Sequence, residues 1–374
     1  MELILSEEQI LLKESAAKFM EQRAGTELVR QVRDSEAPLD QRIWREMAEA
    51  GWLAILVPEE MGGLGLAMTE LALVLEEAGK ALLPGPIAAA AASAKILAEG
   101  PGATDREDLI AAIMGGEKVI VPALQEKTFE IDPEISACQA TEDGNGMRLS
   151  GQKSFIPEAG GADGFLVNAN GPDGLVLCYV PAGAEGAAVS LSQSVDGGDS
   201  GTLTLDRAPV PPAHLVAGSN QAAEACRQLQ DLTLLGLGAG LLGIMETALD
   251  MSVEYIKIRN QFDRPIGSFQ ALQHRAANDY VDTELTRSFL FQVCAAADRN
   301  EDISALASAV KAKASAAALT ITKSAIQFHG AIGVSDEHDI GLYLKRAIAV
   351  SAYYGNEMAH RGRYAKLSGI GSTA

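Results

Sequence analysis

The chain has 374 residues, with 30 Lys+Arg against 50 Asp+Glu and a net charge of −20. An acidic surface cannot neutralise phosphates, which argues against a nucleic-acid partner or docking on an anionic leaflet. Hydrophobic residues at 47% and charged residues at 21% allow large cores and rule out global disorder, and the length suggests two or three domains or one large one.

The longest uncharged apolar run, Leu232 to Met245, falls short of the roughly 20 residues of a membrane span. The N-terminus lacks a basic region and turns acidic at Glu7 and Glu8, so it does not read as a signal peptide. Cys138, Cys178, Cys226 and Cys294 are scattered without a CxxC pair, which fits free buried thiols in a reducing cytoplasm. The expectation is a soluble cytoplasmic protein without a membrane span.

To about Gly116 the pattern is helical. Ser6 and Gln9 have capping-box spacing. Ile43, Trp44 and Met47 mark a second helix, and the glycine-dense stretch Val57–Gly65 interrupts before helical signal returns at Met68–Gly79 and Ile87–Leu97. From Lys118 to Ala217, short apolar runs such as Phe165–Val167, Leu175–Val180 and Thr202–Leu205 alternate with Gly, Pro, Asp and Asn, predicting an antiparallel β-domain. Long Ala- and Leu-rich helical segments follow around 221–258, 269–299 and 302–328. The plan is α+β and multi-domain: a helical domain over 1–117, a β middle domain over 118–218 and a helical domain over 219–374.

Gly238-Ala239-Gly240-Leu241-Leu242-Gly243 matches GxGxxG, but helical spacing runs through it, so it predicts close helix packing rather than a dinucleotide loop. Gly197–Gly201 lacks hydrolase-elbow spacing and reads as a turn. The five histidines show no metal-ligand spacing, so no metal is expected. Two later stretches carry more. Arg259, Asn260, Gln261 and Phe262 lead into Pro265-Ile266-Gly267-Ser268-Phe269-Gln270, and an Arg beside a Gly/Pro turn suits a phosphate clamp. Gln327-Phe328-His329-Gly330-Ala331-Ile332-Gly333 places an amide before glycines that a ligand can approach closely.

With these motifs the sequence resembles the acyl-CoA dehydrogenases over nearly its whole length. Val57–Gly65 is similar to the family's VPxxxGGxG loop, and Leu149–Ile156 to its LxGxKxxI strand. Arg259–Phe262 with Phe269-Gln270 resembles RxxF…FQ, and Gln327–Gly333 resembles QxxGGxG. The resemblance implies a helical N-domain, an antiparallel β-barrel-like middle domain and a C-terminal four-helix bundle. It also implies FAD, an acyl-CoA substrate oxidised between Cα and Cβ, and an electron-transfer flavoprotein as electron acceptor.

The departures from the family pattern are specific. The family's glutamate base, usually in YEGT, is matched by Tyr354 in Tyr353-Tyr354-Gly355-Asn356, and its alternative position falls near Thr233. Neither is a carboxylate, and a phenol is a poor base near neutrality. Asp231 lies two residues from Thr233, about 200° round a helix. The TEPxxGSD segment is replaced by Gln125–Phe129, and Phe155-Ile156-Pro157 stands where the family places Trp-Ile-Ser/Thr against flavin. Ala331 replaces a glycine.

In the family, the arginine and glutamine motifs reach the FAD of a neighbouring subunit. This chain therefore resembles the small, non-catalytic subunit of heteromeric bacterial enzymes of the steroid side-chain or pimeloyl-CoA type, built as α2β2. The expectation is a subunit of a heteromeric, FAD-dependent dehydrogenase of bulky or dicarboxylic acyl-CoAs. Arg259, Gln261, Phe262, Gln270, Gln327, Gly330 and Ala331 would contact a partner's FAD. Two alternatives stand: a self-sufficient enzyme hydrating or dehydrating an acyl-CoA through Asp231 or Tyr354, and a flavin-free scaffold.

Overall fold

The computed structural model describes residues 5–35, 39–144 and 146–370; the first four residues of the acidic N-terminal stretch lie outside it. Six helices come first: α1 Glu7–Arg23, α2 Thr26–Asp34, α3 Gln41–Glu49, α4 Met68–Lys80, α5 Ile87–Glu99 and α6 Glu107–Met114. The Ser6–Gln9 capping box forms in both directions, so two orphan amide groups are satisfied at the start of α1. Helix α5 is apolar all round and buried along nearly its length, as expected of a core helix. In the Val57–Gly65 loop, Gly62 and Gly65 take positive φ, and a methyl group at Gly63 would overlap the Val57 carbonyl oxygen. Only glycine closes this loop so tightly.

The middle of the chain forms β1 Ile120–Ala123, β2 Gln139–Asp143, β3 Gly146–Pro157, β4 Gly164–Gly171, β5 Gly174–Pro181, β6 Ala187–Gln193, β7 Asp199–Val210 and β8 Leu215–Gly218. The sheet order is β6-β7-β3-β2-β4-β5-β8, with β1 beside β4. Most neighbours are antiparallel, but β4 runs parallel to β1 and touches β2 in parallel at one pair, Gln139 and Asn170. The sheet is therefore mixed rather than wholly antiparallel. Parallel pairing needs a long crossover, and the roughly 40 residues from β1 to β4 supply one. Strand β6, Ala-Ala-Val-Ser-Leu-Ser-Gln, escaped the sequence reading because it is largely exposed and has no buried face to set an alternating pattern.

The last part contains α7 Ser219–Ile258, the two-residue strands β9 Asn260–Gln261 and β10 Arg264–Pro265, then α8 Gln270–Ala297, α9 Ser304–His329, α10 Ile340–Ala352 and α11 Glu357–Leu367. Helix α7 crosses α4 at its glycines. A methyl group at Gly243 would overlap the Glu76 carbonyl oxygen, and one at Gly79 the Gly240 carbonyl oxygen. The GxGxxG string is thus a helix-crossing surface. Buried Glu76 ties the same region together: it accepts from Arg287 of α8 and from Lys13 of α1 at 3.3 Å, while Arg287 also reaches Glu246 of α7 at 2.6 Å.

Among the described residues, α7 is long and apolar enough by length and composition to cross a membrane. The sequence estimate counted only its uncharged centre. In the folded chain, 78% of its most apolar window is buried inside the protein, against α4, α5 and α9. All four cysteines are free and buried, and no group of three metal-binding side chains occurs among the described residues.

Candidate functional site

Most sequence candidates fall in two regions, a partly open cavity and an exposed face, while Asp231 and Thr233 lie outside both. The cavity, of about 70 Å³, lies between α4, α5, α7, α10 and the end of β3. Leu75, Leu83, Ile87, Leu237 and Val350 supply apolar wall, and Glu158, Arg346, Tyr353 and Tyr354 form its polar end. Arg346 is held from two sides, with Nη2 3.0 Å from Glu158 Oε1 and Nη1 2.9 Å from Asp196 Oδ2. Its guanidinium lies 5.8 Å from the Tyr353 ring centre. Burial works against both charges, but the pairing keeps Arg346 protonated and holds the Asp196 carboxyl below its ordinary range.

Tyr354 does line this cavity. It sits at φ 53°, a strained conformation for a non-glycine residue, and its buried hydroxyl donates to the Pro122 carbonyl at 3.4 Å. Burial, with Glu158 adding to it, pushes the phenol far above its ordinary value. It is a poor proton acceptor. The loop is pinned by fully buried Lys311, whose Nζ donates to Ser351 O at 3.0 Å, Gly355 O at 3.2 Å and Ser315 Oγ at 3.3 Å.

Thr233 and Asp231 lie elsewhere. The Thr233 hydroxyl donates back to Leu229 O at 2.7 Å inside α7. Asp231 accepts from Ser304 Oγ at 2.7 Å and from Arg363 at 3.1 Å. It borders a separate polar cleft with Arg227 and Ser304. Burial raises its carboxyl despite Arg363. Both its oxygens are engaged in joining α7, α9 and α11, so Asp231 and Tyr354 do not form one acid–base site.

The β3 end differs from an ordinary strand. Its pairing with β7 shifts register between Lys153 and Ile156, and both Phe155 and Glu158 have positive φ. Pro157 between them offers no N–H. The Gln125–Phe129 segment is used internally: Glu126 accepts from buried Lys153 at 2.6 Å, from Ser136 at 2.8 Å and from the Ala137 amide at 2.8 Å. Burial opposes ionisation there, but Lys153 and these donors pull the carboxyl down to about 2.

The seven cofactor candidates lie on the exposed face. Arg259 caps α7, Gln261 belongs to β9, and Phe262 and Asp263 form the hairpin tip with φ of 54° and 61°. Two consecutive left-handed residues make the tight reversal of a two-residue hairpin. Phe262 is 85% exposed, and the Arg264 guanidinium stacks 4.2 Å over Phe269 beneath it. Gln270 opens α8, Gln327 lies in the last turn of α9, and Gly330 and Ala331 follow. All seven are exposed, and none lines the cavity. The side chains of Arg259, Gln261, Gln270 and Gln327 make no hydrogen bond or ion pair among the described residues.

The two motifs are physically joined. Tyr255, one turn before Arg259, stacks on His329 at 4.4 Å, and His338 packs on the other contact of that imidazole at 4.6 Å. His329 Nδ1 lies 2.8 Å from Ala325 O, and burial lowers its pKa. The sequence gives Tyr353 and His329 only as members of their motifs and assigns nothing to Arg346 or Glu158. Their partners are over a hundred residues away or on another element, so no local spacing announced them.

Comparison with known proteins agrees with this architecture. Residues 6–109 match the acyl-CoA dehydrogenase N-terminal domain and residues 232–368 the acyl-CoA dehydrogenase C-terminal domain. The chain is 32% identical to acyl-CoA dehydrogenase IpdE2 of Mycolicibacterium smegmatis over 92% of this chain and 93% of that one. It is 30% identical to acyl-CoA dehydrogenase FadE27 of Mycobacterium tuberculosis over 83% and 84%. Among solved structures, a chain of the Tcur3481–Tcur3483 steroid ACAD aligns with a TM-score of 0.89 at 32% identity, covering 98% and 99%. A chain of the ChsE4–ChsE5 complex from Mycobacterium tuberculosis aligns with a TM-score of 0.91 at 27% identity, covering all of both. Sequence match over both helical domains and fold match over the full length lead to one conclusion: the chain belongs to the acyl-CoA dehydrogenase family of oxidoreductases.

Proposed function

We infer that this chain is one subunit of a heteromeric, FAD-dependent acyl-CoA dehydrogenase acting on a bulky or dicarboxylic acyl-CoA in the cytoplasm. It supplies FAD-contacting residues to a second acyl-CoA dehydrogenase-like subunit, in an α2β2 assembly, and that subunit supplies the catalytic base. The observation that carries this reading is the placement of the seven candidate residues: all exposed, none in the chain's own cavity. Two solved relatives, Tcur3481–Tcur3483 and ChsE4–ChsE5, are two-component assemblies by name, and the first is a steroid enzyme.

The residues fit such a cofactor from outside. The Arg259 fork suits a pyrophosphate, with Gln261, Gln270 and Gln327 as free amides beside it. Gly330, at φ 66°, and Ala331 leave room for close approach. Phe262 gives an apolar surface to a neighbouring chain. FAD, when bound, supplies the hydride acceptor. At the end of β3, Pro157 has no N–H or hydroxyl to donate to a flavin, and the one carboxylate lining the cavity among the described residues, Glu158, is paired with Arg346 and is no free base.

More exposed apolar surface supports an assembly. Val281 and Leu285, one helical turn apart on one face of α8, are both more than half exposed, and an uncovered apolar helix stripe suits a protein contact. Electrons leaving the assembly pass to an electron-transfer flavoprotein. The test is Arg259→Ala in the co-expressed pair. Loss of most bound FAD with the assembly intact supports the reading; full FAD retention favours a scaffold that never touches flavin.

A further inference from the structure

The motif that starts at Gln327 runs into a segment with almost no buried anchor. Between Ala331 and Asp339 only Gly333 is buried, and Ile332 and Val334 point their apolar side chains outward. Apolar packing therefore does little to fix this segment, and polar ties must do it. The longest-range ties run to α2. Arg30 Nη1 donates to Asp339 Oδ1 at 2.6 Å, and its Nη2 donates to the Asp336 carbonyl at 3.1 Å. Arg33 Nη1 donates to both carboxylate oxygens of Asp336, at 3.0 and 3.2 Å, and draws that carboxyl below its ordinary range.

Arg33 is itself held in place. Its Nε and Nη2 donate to Asp34 at 2.8 and 3.3 Å. A methyl group at Gly197 would overlap its Cγ, so the β6–β7 turn lies against its stem. A guanidinium fixed in this way loses little further freedom on pairing, and that loss is what makes ordinary exposed ion pairs weak. On its other side the segment meets the candidate flavin contacts. His338, between Asp336 and Asp339, packs 4.6 Å from His329, and its Nδ1 accepts from the Ile340 amide at 3.2 Å. His329 stands between Gln327 and Gly330 and packs on Tyr255, one turn before Arg259. A shift of Asp336 and Asp339 thus reaches both motifs through two aromatic contacts.

We propose that Arg30 and Arg33 are positioning residues for the flavin-contacting face. By fixing Asp336 and Asp339 they hold His338 against His329, and so set how Gln327, Gly330 and Ala331 approach the partner's FAD. This rests on the reading of that face as a flavin contact, and neither arginine is among the contacting residues.

The test uses the complex of this chain with its partner subunit. It reads the FAD dissociation constant by flavin fluorescence on dilution, with native mass and circular dichroism alongside. Arg30→Met with Arg33→Met keeps both apolar stems and removes both charges. FAD should then bind about tenfold more weakly, as expected for two constrained ion pairs, with the assembly intact. Arg30→Lys with Arg33→Lys restores the charges and should recover most of the loss. Raising salt from about 0.1 to about 1 M should weaken FAD binding less in the Met variant than in the parent, because the pairs it screens are already gone. Asp336→Asn with Asp339→Asn should match the Met variant, and combining the two should cost nothing further.

The proposal is overturned if the Met variant holds FAD like the parent, if Lys recovers nothing, or if the two sets of losses add. Failure of both charge-removing variants to assemble also overturns it, since the pairs would then hold the fold rather than the face. Arg259→Ala in the same assay separates this proposal from the reading beneath it. FAD lost there but kept in the Met variant removes the positioning role alone, whereas FAD kept in Arg259→Ala removes the flavin-contact reading itself.

Discussion

The rings of Tyr255 and His329 pack against each other at a tilt of 31° with their centres 4.4 Å apart, and this contact joins the end of α7 to the end of α9. Arg259 lies one turn beyond Tyr255, and Gln327 lies two residues before His329. Two motifs almost seventy residues apart thus form one surface. Tyr255→Ala removes an aromatic pair worth about 1 kcal/mol beyond its buried area. It should lower FAD affinity of the complex while leaving the α4–α7 core intact. Flavin release on dilution, compared with circular dichroism, measures this; unchanged release would mean the stack does not position the surface.

Asp231 and Arg363 join α7 to α11 through a buried ion pair. Asp231→Asn leaves the guanidinium buried among Ser304 and Ser308 with its charge uncompensated, a loss of about 3–5 kcal/mol by the usual cost of breaking such pairs. The variant should melt well below the parent. Turnover per bound flavin in whatever complex assembles should be unchanged. A stable complex with abolished turnover would instead make Asp231 the acid–base group of a self-sufficient enzyme.

Lys311 sets a pH dependence. Burial lowers its amine to about 7, whereas the unfolded value is near 10.4. The unfolded chain therefore holds the extra proton between those values, and stability rises with pH across that window, by up to about 1.4 kcal/mol per pH unit. Below pH 7 both states carry the proton and this contribution is flat. His360, pushed well below its ordinary value by burial and by Lys311 and Arg363, adds a loss of stability as pH falls below about 6.5. Denaturant titrations from pH 5 to 10 should show both slopes. Lys311→Met should remove the alkaline slope and, since Lys311 also lowers His360, soften the acid one; an unchanged alkaline slope would assign it to other groups.

The helix crossing gives a steric prediction. Gly243→Ala places a methyl group against the Glu76 carbonyl and the Lys80 amide, both backbone atoms that cannot step aside. Overpacking of this kind costs about 3 kcal/mol or more. Soluble yield and melting temperature should both fall sharply. Gly218→Ala, at a position with open space, is the control.

Much of this was legible in the sequence because it depends on local periodicity. The order of helices, short strands and long helices followed from spacing and punctuation, and the Ser6–Gln9 cap formed as its spacing required. The GxGxxG string was recognisable as helix because Met245 and Ala248 continue its periodicity. The parallel β1–β4 pairing was not readable, since strand direction depends on a crossover rather than on composition. Asp231 remained open as a base on sequence alone. Its contacts with Arg363, 132 residues away, and with Ser304 have no local signature. Glu158 likewise means little beside Ala159 and Gly160 until Arg346 folds against it.

The most direct measurement is the visible spectrum and native mass of this chain, purified alone and then co-expressed with an acyl-CoA dehydrogenase-like partner. The account predicts little or no flavin absorbance from the chain alone, and a yellow, larger assembly from the pair. A homotetramer of this chain alone carrying one FAD per subunit would contradict it.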